Sequence, residues 1–312
     1  MAQAKPTQAI AFLGPRGTFH EQALLTEPDL AGAELRPMSS IADVLEAAHA
    51  GDVDLGLAAI ENSIEGGVNI TVDTLAFDLD LLIQREVILH IELCLVAKPG
   101  TALADIRRVV SFPHAIAQCH KYLARELPDV AFDTTSSTAE AAQSLVEHGD
   151  SETAAIATAR AAEAYELNVL KADIEDHPEN RTRFVLVARD GIPPATGHDK
   201  TSIVAFQRAN RPGSLVNILQ EFSARAINLS HLQSRPTKRE LGDYCFVIDL
   251  IGHIADERVG DCLKNIHAKQ ADVRFLGSYP AAGEVAADAR RDANLAWDQA
   301  ESWLVGLRGR IG

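Results

Sequence analysis

A change of rhythm at residues 191–197 constrains what this chain can fold into more than any other feature. Before it, short apolar runs alternate with segments whose apolar residues recur every three or four positions. Residues 9–13, 55–60, 87–96, 108–112 and 154–157 read as strands. Ile41, Val44, Leu45 and Ala48 behind Ser40 predict a helix with a serine N-cap. Thr18 with Glu21, and Ser137 with Glu140, have capping-box spacing, and Pro113 suits a first helical position. Such alternation predicts α/β layers with mainly parallel strands.

Residues 191–197 carry two prolines and read as a linker. Beyond them, 201–206 is a strand, and Pro212-Gly213 opens a helix with Leu215, Ile218, Leu219 and Phe222 on one face. Residues 227–232 form the next strand. Tyr244, Phe246, Ile248 and Leu250 then alternate with Cys245, Val247 and Asp249. Val259, Cys262, Leu263 and Ile266 make a second helical stripe, and 273–277 closes the unit. The order βαββαβ predicts a ferredoxin-like module. Residues 281–312, with Leu295, Trp297 and Trp303, predict a helical tail.

The chain has 312 residues and a formal net charge of −15. It has no basic stripe, so nucleic acid is not an expected partner. An acidic small molecule is still compatible, because solvent screens the global field beyond about 8–10 Å. Cys94, Cys119, Cys245 and Cys262 are far apart and lack metal-ligand spacing; each reads as a small buried hydrophobe in a reducing compartment. MAQAKPTQ at the start has no signal-peptide core, and no apolar run is long enough to span a bilayer. A cytoplasmic protein is expected.

Four stretches place polar groups at strand ends, where α/β folds hold ligands. Gly14-Pro15-Arg16-Gly17-Thr18-Phe19 is an ordinary turn or a backbone cradle for an anion at a helix start. Glu61-Asn62-Ser63-Ile64-Glu65-Gly66-Gly67 offers an acid, an amide and a hydroxyl, or is a capped turn. Ser111-Phe112-Pro113-His114 leads to Gln118-Cys119, with His114 an acid–base group or merely solvated. Asn180-Arg181-Thr182-Arg183 runs directly into the apolar strand that starts at Phe184. Together they suit a cleft for a small carboxylate. No Ser/His/Asp set, Walker loop, GxGxxG or HExxH is present, which disfavours nucleotide enzymes and metallohydrolases.

In this order the motifs resemble the prephenate dehydratase family from about residue 8 to 280. Gly14–Phe19 matches its GPxGTF, Glu61-Asn62-Ser63 its ENS, Ser111 with Pro113, Gln118 and Cys119 its serine-to-Gln-Cys stretch, and Thr182-Arg183-Phe184 its TRF. The C-terminal unit resembles an ACT domain, with Pro212-Gly213-Ser214-Leu215 as its PGxL loop and Gln233-Ser234-Arg235-Pro236 as its ESRP-like segment. Three departures stand out. The common SHPQ reads SFPH, with Phe112 and His114; Gln233 replaces the usual Glu; Ser214 replaces a common Ala.

The resemblance implies a two-lobed, type II periplasmic-binding-protein-like catalytic domain at 1–192, plus a ferredoxin-like ACT domain at 198–280. Lobe 1 would hold about 1–85 and 183–192, and lobe 2 about 86–182. The implied reaction takes prephenate to phenylpyruvate with loss of carbon dioxide and water, and needs neither cofactor nor metal. It implies Thr182 as hydrogen-bond donor to the leaving hydroxyl, Glu61 as an alternative acid, and Asn62, Ser111 and Gln118 as orienting groups. Gly17, Thr18, Ser63, Arg183 and Phe184 would contact substrate, with Arg183 open between anchor and brace. Pro212, Gly213, Ser214, Leu215, Gln233, Ser234, Arg235 and Pro236 would bind L-phenylalanine as feedback effector, in a homodimer or homotetramer. No chorismate-mutase-like domain precedes residue 9, so a monofunctional chain is expected. Arogenate dehydratase and a non-enzymatic amino-acid sensor are the alternative readings.

Overall fold

A computed structural model of the chain describes residues 8–30, 32–207, 211–240, 242–282, 299 and 302–310. It divides into two units. One comprises the residues up to Leu79 with Val87–Arg189; the other comprises Asp80–Glu86 and the residues from Asp190 onward.

The first unit holds two mixed sheets. One contains β1 (Ala9–Leu13), β2 (Glu34–Met38), β3 (Leu55–Asn62), the two-residue β4 (Gly66–Gly67), β11 (Arg181–Ala188) and β5 (Leu82–His90), of which Val87–His90 belong to this unit. Its order is β2-β1-β3-β11-β5, with β4 folded back on β3. The other contains β6 (Cys94–Ala97), β7 (Arg108–Ser111), β8 (Ala131–Thr134), β9 (Thr153–Ala157) and β10 (Asn168–Lys171), in the order β10-β6-β9-β7-β8. Each sheet packs helices over its own core: α1 (Phe19–Leu25), α2 (Ile41–Ala50) and α3 (Asn69–Asp73) in the first lobe, and α4 (Pro113–Gln118), α5 (His120–Glu126), α6 (Thr138–His148) and α7 (Ala159–Ala164) in the second. Phe19 packs against both cores.

Local chemistry explains the helix starts. Thr18, Ser40, Ser137 and Thr158 each accept the N–H three residues on. In both expected capping boxes the glutamate reaches one residue further back: Glu21 takes the Gly17 N–H and Glu140 the Ser136 N–H, each at 2.7 Å.

Two expectations change. Residues 87–96 are not one strand: β5 ends at His90 and β6 begins at Cys94, in different sheets. Between them the Ile91 N–H donates to the Asn180 carbonyl at 2.9 Å, and the Leu93 N–H to the Glu175 carboxylate at 2.8 Å. The bonds go to the returning segment, so the ladder stops. Ile91 and Leu93 remain buried, which is why the apolar run hid the break. The strands are also less uniformly parallel than expected. β1–β2, β1–β3, β7–β8 and β7–β9 are parallel, but β3–β11, β6–β9 and β6–β10 are antiparallel. β6 and β11 are the first strands reached after each crossing; β6 runs against β9 and β10, and β11 against β3. Two sheets joined by two crossings form the type II binding-protein-like arrangement.

The second unit has β12 (Asp199–Gln207), α8 (Ser214–Ser223), β13 (Leu229–Pro236), β14 (Tyr244–Ile251), α9 (Glu257–Asn265) and β15 (Ala271–Pro280). Its sheet, β13-β14-β12-β15, is antiparallel throughout. Ile203, Ala205, Ile218, Phe222, Ile248, Val259 and Cys262 fill the core between sheet and helices, as their periodicity requires. This is the βαββαβ ferredoxin-like module. Residues 302–308 are helical, whereas Leu295 and Trp297 of the expected tail lie outside the described residues. Among the described residues no helix is long and apolar enough to cross a membrane, and no cluster of His, Cys, Asp and Glu is arranged to hold a metal.

Candidate active site

A cavity of about 470 Å³ lies in the first unit, with walls from both lobes. Its polar lining includes Thr18, His20, Asn62, Glu65, His114, Gln118, Asn180 and Thr182; Phe19, Phe112, Phe184, Ile91 and Leu93 supply apolar surface. An apolar wall set with a few fixed amides and hydroxyls is the usual make-up of a small-molecule site.

The pairing of β3 with β11 decides which side chains enter. Thr182 opposes Asn62 and Arg183 opposes Glu61, but Phe184 opposes Ala59. One residue of β3 is therefore unmatched, a bulge at the strand end. Strict alternation would put Asn62 and Ala59 on opposite faces; the bulge lets both border the cavity beside Thr182 and Phe184.

Thr182 Oγ1 accepts from Asn62 Nδ2 at 2.9 Å. The same amide nitrogen donates to Asn180 Oδ1 at 2.9 Å, while Asn62 Oδ1 accepts the Ile64 and Glu65 N–H groups at 2.9 and 3.0 Å. Asn62 is thus clamped through both ends of its amide. Among the described residues the Thr182 hydroxyl accepts from the chain and donates to none of it, so its proton is available to an occupant of the cavity.

Glu61 and Arg183 occupy the other face of the same two strands. Their side chains form an ion pair at 3.4 Å and do not line the cavity. Arg183 and Glu61 face away from the cavity because successive residues on a strand face opposite ways.

Asn180 is the residue that sequence reading passed over. It is buried, and its Oδ1 accepts from Asn62 and from Ser63 Oγ, while its Nδ2 donates to Gln118 Oε1 at 3.3 Å. Gln118 Nε2 reaches Glu65 Oε1 at 3.4 Å, and His114 Nδ1 lies 3.3 Å from Glu65 Oε2. A chain of hydrogen bonds therefore runs from Thr182 in one lobe to α4 in the other. Ser63 serves this chain from outside the cavity, accepting the Arg181 N–H at 2.9 Å. The signal for Asn180 was a polar residue two positions before Thr182; for Glu65, an acid three positions after Asn62.

Other expected residues sit elsewhere. Ser111 is wholly buried and donates to the Ile156 carbonyl at 2.7 Å, tying β7 to β9. Gly17 does not line the cavity. Its N–H is taken by Glu21, its carbonyl accepts from Thr158 at 2.8 Å, and its φ of +85 suits glycine. A Cβ there would lie 2.8 Å from the Ala161 Cα, so Gly17 allows the turn to touch α7. The anion at this helix start is the chain's own glutamate. Thr18 borders the cavity, but its hydroxyl donates to the Leu13 carbonyl and caps α1. Cys119 is buried, which pushes its thiol up and leaves it unreactive.

His20, on α1, sits edge-on to Phe184 with ring centroids 4.9 Å apart. Burial holds its pKa down to about 4, so the ring is neutral at pH 7. Its Nε2 is buried and, among the described residues, has no hydrogen-bond partner.

The second unit has its own cavity, of about 320 Å³, lined by Gln207, Arg211, Gly213, Ser214, Leu215, Val216, Ser234, Tyr244 and Phe246. It unites Gly213, Ser214, Leu215 and Ser234 of the expected set, but not Pro212, Gln233, Arg235 or Pro236. Ser234 opposes Phe246 across β13–β14, so both face the helices. Gln233 and Arg235 oppose Val247 and Cys245 and take the other face. Gly213 is left-handed at φ +88, and α8 begins at the next residue.

Fold and sites define a two-lobed α/β small-molecule domain carrying a ferredoxin-like regulatory-type module. Residues 10–192 match the prephenate dehydratase family, and 201–268 match the ACT domain. A prephenate dehydratase of Mycolicibacterium vanbaalenii is 43% identical over 96% of this chain and 98% of its own length. Among solved structures, an Arthrobacter aurescens prephenate dehydratase in complex with L-Phe has 40% identity and a TM-score of 0.86, covering 96% of this chain and 99% of its own. GqqA, described as a novel type of quorum-quenching acylase, has 28% identity and a TM-score of 0.78, covering 88% and 98%. The chain belongs to the prephenate dehydratase family, lyases that release carbon dioxide and water from prephenate to give phenylpyruvate.

Proposed function

We propose that the two-lobed cleft carries out this reaction with Thr182 as hydrogen-bond donor to the departing ring hydroxyl. The ring carboxyl leaves as carbon dioxide. The electron pair of that C–C bond enters the ring, and the C–O bond breaks with its pair on oxygen. Aromatisation supplies the driving force. The hydroxide released takes its proton from solvent, because a threonine hydroxyl is too weak an acid to supply one. What Thr182 supplies is a fixed donor that strengthens its hold as charge builds on the oxygen.

The observation that carries this reading is the clamped Asn62–Thr182 pair, 2.9 Å apart, which leaves the threonine proton facing the cavity. Asn180 and Gln118 hold the amide chain, and Phe184 and Phe19 enclose the ring. We assign Glu61 and Arg183 to bracing β3 against β11, and Ser111 and Gly17 to the scaffold. The acylase relative makes plain that one scaffold hosts different chemistries, so the assignment rests on these side chains. Purified Thr182→Ala should fold and turn over prephenate very slowly; near-normal turnover would sink the assignment. Parallel assays with prephenate and arogenate decide which substrate is preferred, and a wild-type protein inert to both would instead be a sensor.

The cavity of the second unit fits L-phenylalanine as effector. The first turn of α8 offers N–H groups to a carboxylate, and Leu215, Val216 and Phe246 offer apolar surface to a ring. The Arthrobacter aurescens relative was crystallised with this amino acid. We take residues 198–280 as the ACT domain and 1–192 as the catalytic domain. β13 is an edge strand, suited to pairing with a second copy. Activity followed across a phenylalanine titration tests the effector; a flat response refutes it.

A further inference from the structure

We propose that Glu65 sets the substrate range of the cleft by pairing with an ammonium group, so that the cleft also accepts arogenate, which carries an amino group where prephenate carries its side-chain ketone. The inference rests on the reaction proposed for this site and extends it to a second substrate.

The charges around the cavity carry the argument. Among the described residues that line it there is no lysine or arginine, and Glu65 is the one carboxylate. His20 is neutral at pH 7, because burial holds its pKa down to about 4. His114, the other titratable group of the lining, sits against the Glu65 carboxylate itself. Prephenate enters this cavity with two net negative charges, and arogenate with one. A carboxylate in the wall opposes the first more than the second, and attracts only the ammonium of the second.

Glu65 is placed for this role. Its side chain is 45% exposed, and its backbone N–H is fixed on Asn62 Oδ1 at 3.0 Å. Gln118 Nε2 lies 3.4 Å from one carboxylate oxygen and His114 Nδ1 3.3 Å from the other. Among the described residues no other group engages this side chain. An ionised carboxylate has about four acceptor positions, so two long contacts leave room for a donor from the cavity. An ammonium has N–H groups and no acceptor, and fits that room; a ketone has only acceptors and does not. The ends of the substrate fit as well. Its ring hydroxyl and its side chain lie across the ring from each other. Thr182 and Glu65 are the two ends of the hydrogen-bonded chain through Asn62, Asn180 and Gln118.

The bonds broken are the same for both substrates. The ring carboxyl leaves as carbon dioxide, the electron pair of that C–C bond enters the ring, and the C–O bond breaks with its pair on oxygen. The hydroxide takes its proton from solvent. The amino group is untouched, so arogenate yields phenylalanine in place of phenylpyruvate.

Initial rates with each substrate, taken before phenylalanine accumulates, test this in wild type and Glu65→Gln. Glutamine keeps the length of the side chain and removes its charge. Wild type should convert both substrates. In Glu65→Gln, kcat/KM for arogenate should fall and that for prephenate should rise. The ratio of the two should drop about 10-fold to 100-fold, as loss of a hydrogen bond to a charged group does. Glu65→Ser should give the same drop, and decides the matter if the glutamine variant does not fold. Three outcomes overturn the inference: wild type active on prephenate and inert to arogenate, a ratio unchanged in a folded variant, or an equal fall with both substrates. Wild type inert to both would instead overturn the reaction assigned to the cleft.

Discussion

The two cavities of this molecule are built on different principles. In the cleft the groups proposed to meet substrate are side chains, and each is held by a second side chain: Thr182 by Asn62, Asn62 by Asn180, Asn180 by Gln118. In the second unit the groups proposed to meet effector are largely backbone, presented by the left-handed Gly213 and the first turn of α8. The difference is what the two tasks require. A catalytic donor must meet a changing atom within tenths of an ångström, so its rotamer must be locked. An effector site needs only a carboxylate and a side chain to bind, which a helix start and an apolar wall provide.

If the comparison is right, damage to each cavity should have its own signature. The largest effect belongs to the cleft. Thr182→Ala should lower kcat about 10²–10³-fold with no change in melting temperature, as loss of one fixed donor does. The next concerns His20, whose folded pKa is about 4 against an ordinary 6.5. The unfolded chain binds this proton first as pH falls. Stability is therefore complete above pH 6.5, declines as pH drops through 4, and loses roughly 3 kcal/mol in all. Denaturant melts across that window should show this decline in wild type, and His20→Phe should lack it.

A smaller effect is expected in the other cavity. Gly213→Val forces a β-branched residue into a left-handed conformation at a cost of about 1–2 kcal/mol. The phenylalanine concentration for half response should rise roughly tenfold, while kcat without effector stays unchanged. The smallest effect separates the two faces of one strand pair. Glu61→Gln removes a partly exposed ion pair worth at most about 1 kcal/mol, so kcat should change less than about threefold. A loss as large as that of Thr182→Ala would return Glu61 to the chemistry.

Much of the fold was legible beforehand. The capping residues Thr18, Ser40 and Ser137, Pro113 at its helix start and the complete βαββαβ order follow from local rules, because caps and periodicity depend on neighbours within four positions. The gathering of Thr182, Asn62 and Gln118 was legible only through the ordered motif set. Glu61 and Ser111 show the limit. They stand in the same motifs as true cavity residues, and a motif marks a place in the chain without marking a side.

By itself, then, the sequence determined many of the elements, the change of pattern near residue 191 and the residues from which a cleft could be made. Only tertiary structure decided which of them face it. One unmatched residue in β3 turns Asn62 and Ala59 to the same side, and the break after His90 carries the chain into a second sheet. Both depend on hydrogen bonds to segments roughly ninety to a hundred and twenty residues away, such as Asn180 to Ile91 and Thr182 to Asn62. No local pattern encodes a partner that distant, so the side on which Thr182 and Arg183 part company is settled when β11 comes home to β3.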